Sequence, residues 1–255
     1  MRPCVTKELV IRNAAFGGPK PLFCIPLVAK DRSSLLAQAQ AAKPLDPDVI
    51  EWRSDSWDDL DGVVDAAREL RRVFERTPIL FTLRDASEGG AKPLAPEVRA
   101  QCIGDVVRSG QVDLVDIELS CGPQFVAPLV ELAHAGNVRV ILSFHDFQST
   151  PDNDTLLSKI AAMIAQRADI AKIACMPREA SDVLRLLQVT RVARATHPAV
   201  PLCTISMGSL GSWSRVVAFL HGCDMTFAVG QEASAPGQIP IREARALTEG
   251  MLRYS

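Results

Sequence analysis

Residues 139–177 read RVILSFHDFQSTPDNDTLLSKIAAMIAQRADIAKIACMP. The stretch opens on an apolar, β-branched run, Arg139–Phe147, and closes on another, Ile170–Pro177. Both are nearly continuous in apolar residues, as strands buried on both faces are. Between them, Asp154–Arg167 repeats its apolar residues at three- and four-residue spacing, the stripe of an amphipathic helix. Strand, helix, strand in that order predicts one parallel βαβ unit.

Outward from it the alternation recurs. Strand-like runs lie at Leu22–Ala29, Val49–Asp55, Ile79–Asp85, Val112–Leu119, Pro201–Gly208 and Asp224–Gly230. Helical spacing marks Ser33–Ala42, with an N-cap at Asp31 or Ser33, and then Leu60–Glu75, Pro96–Ser109, Gln124–Ala135, Ala180–Thr196, Ser212–His221 and Ile241–Leu252. Eight strands alternating with eight helices in 255 residues predict an α/β fold, a (β/α)8 TIM barrel forming one catalytic domain over residues 1–255. The alternative, an open doubly wound sheet, usually carries a glycine-rich first turn. Here the first strand runs into Ala29-Lys30-Asp31-Arg32. Residues 4–15 fall outside the repeat, and Val5, Leu9, Val10 and Ile11 predict a short N-terminal β-hairpin closing the bottom of the barrel.

Composition narrows the function. Apolar residues make up 47% of the chain and charged residues 23%, which excludes a disordered protein. A net charge of -2 offers no basic excess to neutralise phosphates, so no nucleic-acid partner is expected. No uncharged apolar stretch reaches the length of a membrane span, and no apolar leader follows Met1-Arg2-Pro3-Cys4. The seven cysteines are widely spaced, without a CxxC pair, and read as reduced thiols in a cytoplasmic protein. The four histidines have no metal-ligand spacing, and HExxH, EF-hand and Walker patterns are missing, so no metal is expected.

In barrels the reacting groups stand at the C-terminal ends of the strands. The second strand ends Glu51-Trp52-Arg53, and alternation puts Glu51 and Arg53 on one face, as substrate ligands or as a structural ion pair. The third ends Thr82-Leu83-Arg84-Asp85 and leads to Glu88-Gly89-Gly90; the fourth carries Asp116 and Glu118; the fifth ends Ser143-Phe144-His145. Lys172 lies inside the apolar run Ile170–Met176. Burial penalises a charged lysine, and a neutral amine can attack a carbonyl to form a Schiff base. The structural alternative is a snorkelling lysine, or an ion pair with Glu51 or Glu118. After the seventh strand, Ser206–Arg215 is rich in glycine and serine, a phosphate cradle or a plain surface connection, and Arg215 could clamp a carboxylate. Gly230–Gln238 reads as a lid or as an ordinary loop.

Five motifs stand together in order: Glu-Trp-Arg at 51–53, Glu-Gly-Gly at 88–90, Ser-Phe-His-Asp-Phe at 143–147, Ala-Lys-Ile-Ala at 171–174 and Ser-Ala-Pro-Gly-Gln at 234–238. In this the chain closely resembles the type I 3-dehydroquinase family, from about Val5 to its end. The resemblance implies a cofactor-free, homodimeric barrel of the shikimate pathway that dehydrates 3-dehydroquinate to 3-dehydroshikimate through a lysine imine. It implies that the imine forms on Lys172, that His145 is the general acid/base, and that Glu88 partners this histidine. It carries substrate contacts onto Glu51, Arg53, Arg84, Arg215, Ser234 and Gln238, with Met207 and Phe227 as apolar neighbours. Pro26 falls where several relatives have a substrate-contacting serine, and the strand-seven loop carries Trp213; both departures bear on affinity rather than on the imine. The ordinary pKa of histidine suits His145 to proton transfer near neutrality. Two other readings are a class I aldolase, also a Schiff-base barrel, and a non-catalytic binding domain, which would usually lose Lys172 or His145. The same step serves aromatic biosynthesis and quinate breakdown, and the sequence does not separate them.

Overall fold

The computed structural model describes residues 2–230 and 235–254. The chain begins with an antiparallel hairpin, β1 (Leu9–Ile11) and β2 (Ala14–Phe16). Eight parallel strands follow: β3 (Leu22–Val28), β4 (Val49–Arg53), β5 (Ile79–Thr82), β6 (Leu114–Glu118), β7 (Arg139–Asp146), β8 (Ile170–Cys175), β9 (Leu202–Ser206) and β10 (Met225–Phe227). They pair in the order β10-β3-β4-β5-β6-β7-β8-β9. The two ends of this sheet meet where the Asp224 N–H donates to Leu202 O at 2.7 Å, so the sheet curls into a nearly closed barrel. Around it lie α1 (Arg32–Ala42), α2 (Val63–Val73), α3 (Pro96–Ser109), α4 (Pro123–Ala135), α5 (Asn153–Ala165) and α6 (Ala180–Thr196), then the single turns α7 (Gly208–Gly211) and α8 (Ser214–Val217), and finally α9 (Ile241–Leu252). Among the described residues no helix is long and apolar enough to cross a membrane.

Two helices depart from their expected spans. Leu60–Glu75 starts as a 3-10 turn, Leu60–Gly62, whose amides bond the Asp59 carboxylate, and becomes α-helical only at Val63. Ser212–His221 is not one helix: α8 gives way to a 3-10 turn at Ala218–His221. Nor is the preceding loop an open phosphate cradle, because its leading amide, Gly208 N–H, already donates to Pro236 O at 3.2 Å. At the start of α1, Asp31 is the N-cap and accepts from Ser34 N–H at 2.8 Å.

Strand alternation sends odd-numbered residues of β3 outward and even-numbered ones inward. The outer face joins the large core between strands and helices, with Trp52, Phe81 and Ile173 fully buried in it. Inside, the lowest layer is apolar: Cys24, Val49, Leu80, Leu114, Ile141 and Ile170 pack on Ile11, Ala14 and Phe16 of the hairpin. The hairpin therefore plugs the bottom, as expected from its apolar residues. Above that layer the interior turns polar, with Glu51, Thr82, Asp116, Ser143 and Lys172 all buried.

The bottom rim is held by four aspartates, each just ahead of an alternate strand. Asp48, Asp113, Asp169 and Asp224 accept, through their carboxylates, the N–H of Phe23, Ile79, Val140 and Leu202 on the preceding strand at 2.7–2.8 Å. Each returns its own N–H to the carbonyl of the same residue. Each also meets a basic side chain from a helix: Arg245, Arg71, His134 and Arg194 respectively. These brackets fix the register of neighbouring strands where the ladder begins. The Asp224 bracket is the most buried, and it also pairs with Arg2. We expect Asp224→Ala to cost about 3–5 kcal/mol, because it strands two buried guanidinium groups. Asp48→Ala should cost about 1 kcal/mol, since its pair is partly exposed. Denaturant unfolding of both variants checks the contrast; equal losses would show that burial of the bracket is immaterial.

Candidate active site

The C-terminal ends of the strands surround a cavity of about 640 Å³, counting its open mouth. Lys172 rises from β8 into its floor. Its Nζ donates to Asp116 Oδ2 at 2.8 Å, stands 3.9 Å from Glu51 Oε1, and lies 4.7 Å from the centre of the Phe227 ring. The buried lysine is thus paired, closely with Asp116 and more loosely with Glu51 as expected, and not with Glu118. Asp116 is itself held by Arg84 at 2.9 Å and by the Ser143 hydroxyl at 2.5 Å. Glu51 accepts from Thr82 Oγ1 at 2.9 Å. Every member of this floor sits on an inward position of its strand, which is why alternation alone brings them together.

His145 stands at the end of β7, in the same cavity. Its Nδ1 is 2.9 Å from Glu88 Oε2, and its backbone N–H donates to that same oxygen at 2.8 Å. A carboxylate can only accept, so Nδ1 carries the proton and Nε2 is left as the basic nitrogen. Glu88 comes from the short turn after β5. The next residue, Gly89, has φ +86, and a Cβ there would fall 2.5 Å from the Phe147 ring, so glycine lets the two loops touch. Its carbonyl accepts from Arg53, whose guanidinium is otherwise engaged by Asp55 at 2.8 Å and 3.0 Å.

The arginines divide by what holds them. Arg84 lines the cavity, yet its guanidinium is already taken by Asp116, Glu118 and Ser143. Arg215 is different. It donates only to the carbonyls of Phe227, at 3.3 Å, and Pro236, at 3.1 Å, and its buried Nε has no partner among the described residues. A buried cation with no carboxylate beside it is a seat for an anionic ligand group. Met207, Phe227 and Gln238 line the cavity as well. Gly237 places the loop before α9 against the strand-seven loop, since a Cβ there would lie 2.1 Å from Gly208 O. Ser234 lies outside the described residues. Pro26 is buried opposite Glu51 on β3 and is not part of the lining. Of the floor residues, Asp116 was not singled out as functional, although its two-residue spacing from Glu118 gave its inward phase. Phe147, Ala174, Ile205 and Pro236 also line the cavity; the first, second and fourth lie in the motifs at 143–147, 171–174 and 234–238, whereas Ile205 lies outside all five.

Electrostatics sharpens the roles. Burial would raise the Asp116 carboxyl, but the charges of Arg84 and Lys172 outweigh it and hold the group well below the carboxylate range. Burial, then Arg84 and Lys172, push His145 well below its ordinary value. Its imidazole is therefore less basic than the sequence suggests. Burial raises Glu88, against the opposing pull of the Ser120 hydrogen bond and Arg84.

The family model for type I 3-dehydroquinase matches residues 23–252. The 3-dehydroquinate dehydratase of Geobacillus thermodenitrificans is 41% identical over 249 residues, covering 96% of each chain. That of Aromatoleum aromaticum is 41% identical over 254 residues, covering 98% of this chain and 97% of its own. The crystal structure of 3-dehydroquinate dehydratase from Geobacillus kaustophilus superposes with a TM-score of 0.96 at 39% identity, over the whole of both chains. The type I enzyme of Clostridium difficile, solved with covalent modified comenic acid, superposes at 0.94 with 31% identity, over 98% of this chain and 99% of its own.

One consequence of the site's electrostatics can be measured without substrate. The His145 imidazole should stay neutral at about pH 6, where an unperturbed histidine is mostly protonated. Its folded value lies below the unfolded one, so its contribution to stability is intact above 6.5 and is lost as the pH falls toward the folded value. Ring-proton NMR titration reads the first effect; a histidine at position 145 titrating in the usual range would mean that the two cations do not reach it.

Proposed function

The chain belongs to the type I 3-dehydroquinase family, hydro-lyases that dehydrate 3-dehydroquinate, and on that footing we propose that it does so through a covalent imine on Lys172. The observation that carries this reading is a buried lysine in the same cavity as a histidine whose basic nitrogen is left open. The covalent modified comenic acid in the Clostridium difficile relative supports covalent chemistry in this family.

Lys172 gives up a proton to solvent at the open mouth of the cavity, and its Nζ attacks the substrate ketone. The carbinolamine takes a proton back from solvent and loses its hydroxyl as water, leaving an iminium. The cationic nitrogen acts as an electron sink and acidifies the adjacent C–H. His145 Nε2 removes that proton, and the electron pair moves into an enamine. Its return expels the hydroxyl at the β-carbon, which leaves as water with the proton His145 carries. A second water hydrolyses the iminium, so the net change is loss of one water. The lowered basicity of His145 keeps it unprotonated, ready to act as a base, at neutral pH. Asp116 and Glu51 face the nitrogen that stays positive through these steps.

Arg215 binds the substrate carboxylate in this reading, and its lack of a carboxylate partner among the described residues supports that role. Arg53, Glu51 and Gln238 meet the hydroxyls, with Ser234 joining them. Arg84 contacts substrate at the edge of the cavity while holding Asp116 and Glu118. Phe227 and Met207 form the apolar wall. The assembly is a homodimer in a reducing cytoplasm; seven free thiols support the compartment, and sedimentation tests the dimer.

Borohydride reduction in the presence of 3-dehydroquinate should fix an adduct on the peptide carrying Lys172. Lys172→Ala should lose the adduct and turnover together. His145→Ala should keep the adduct and lose kcat by about 10²–10⁴-fold. Arg215→Ala should raise KM by about tenfold or more, the worth of a charge-assisted contact. Unmodified wild-type protein after reduction, or normal turnover by Lys172→Ala, would overturn the imine.

A further inference from the structure

His145 owes its orientation to Glu88, so the question becomes what orients Glu88. Its Oε2 is spent on the His145 ring and backbone. The other oxygen, Oε1, accepts from the hydroxyl of Ser120. Ser120 belongs to the one-turn 3-10 helix Leu119–Cys121 directly after β6. That turn is clamped to the segment bearing Glu88 at a second point. Glu118, the last residue of β6, accepts from the Asp85 N–H at 2.9 Å, from Arg84 at 2.7 Å and from Arg99 at 2.5 Å. Arg99 also donates to Cys121 Sγ at 3.3 Å, on the far side of Ser120. The serine is thus held between two fixed residues and presents its hydroxyl where the free oxygen of Glu88 ends.

We infer that Ser120 is a positioning residue for proton transfer: it fixes the Glu88 carboxylate in the rotamer, and in the charged form, that holds His145. This rests on the reading of His145 as the proton-transfer group. Ser120 itself touches neither the cavity nor any of its cations, so its effect passes through Glu88. Removing a hydrogen bond made to the ionised form favours the neutral acid. The charged groups facing the pair are Arg84 from β5, Asp116 and Glu118 from β6, Lys172 from β8 and Arg53 from β4, and none of them changes in a Ser120 variant.

Glu88 and His145 share a proton, so the acid limb of kcat/KM reports the pair rather than either residue. Ser120→Ala raises the proton affinity of Glu88 and should move that limb to higher pH. Glu88→Gln removes one proton site and the anion beside the imidazole, and should move it to lower pH. Opposite shifts from two changes in one chain are not what loosened packing produces.

The experiment compares Ser120→Ala, Ser120→Thr, Glu88→Gln and the Ser120→Ala/Glu88→Gln double variant in full-length protein. Ser120 is exposed, so all Ser120 variants should fold, which the unfolding midpoint verifies. We expect Ser120→Ala to retain the borohydride-trapped adduct and an unchanged KM. Its kcat should fall by about three- to tenfold, the net worth of one ordinary hydrogen bond. Ser120→Thr restores the hydroxyl and should restore rate and profile, and in the Glu88→Gln background Ser120→Ala should change neither. A wild-type pH profile in Ser120→Ala, or an equal loss in Ser120→Thr, would overturn the inference and leave the imine standing. Wild-type protein that traps no adduct would instead overturn the imine reading, and the inference with it.

Discussion

The carboxylate of Asp116 is the point on which the interior depends. It lies fully buried in the middle of a barrel, where a lone charge could not persist. Lys172, Arg84 and Ser143 surround it, and the two buried cations in turn rely on its charge. Once that cluster exists, much else follows. Arg84 is drawn inward and takes Glu118 with it; Glu118 fixes Asp85 and Arg99, and so the loop that ends in Glu88. The polar layer is a single connected set of charges, satisfied by its own members. Its net effect is to leave one amine at the floor of a cavity with an imidazole beside it.

The barrel and the lysine and histidine of its cavity were legible because both obey strong rules. A buried strand needs a continuous apolar run, and a helix covering it needs a stripe, so the eight-fold alternation stood out. Lys172 and His145 stood out because they interrupt such runs. Glu51 and Arg53 were placed on the interior by alternation alone, and the structure keeps them there. Partners were harder. The lysine pairs with Asp116 because of barrel stagger, which sets side chains of non-adjacent strands level and leaves no trace in local sequence. The basicity of His145 was misjudged for the same reason: Arg84 and Lys172 are remote in sequence and near in space. The helix expected over Ser212–His221 breaks at Ala218 into a 3-10 turn, and the apolar spacing that suggested it does not distinguish the two.

The cavity keeps its cations in two states of readiness. Arg84 and Arg53 are spent on carboxylates of the protein and are therefore rigid. Among the described residues Arg215 is held by carbonyl groups alone, and burial brings its pKa down to about 10. A guanidinium in that condition gains more from an incoming anion than one already neutralised.

The four aspartates of the bottom rim have a further meaning. Each joins an odd-ranked barrel strand to the even-ranked one after it; three take their cation from the helix that precedes the odd-ranked strand, and Asp48 takes Arg245 from the C-terminal helix α9. The base of the molecule is therefore four near-copies of a βαβα quarter related by successive quarter turns about the barrel axis. The opposite rim has no such symmetry, because Lys172 and His145 have no counterpart on the other strands that line the cavity. One ring of the chain is periodic and the other is singular. The singular end carries the groups of the cavity, while the rotational order that keeps the strands in step is stored at the other end.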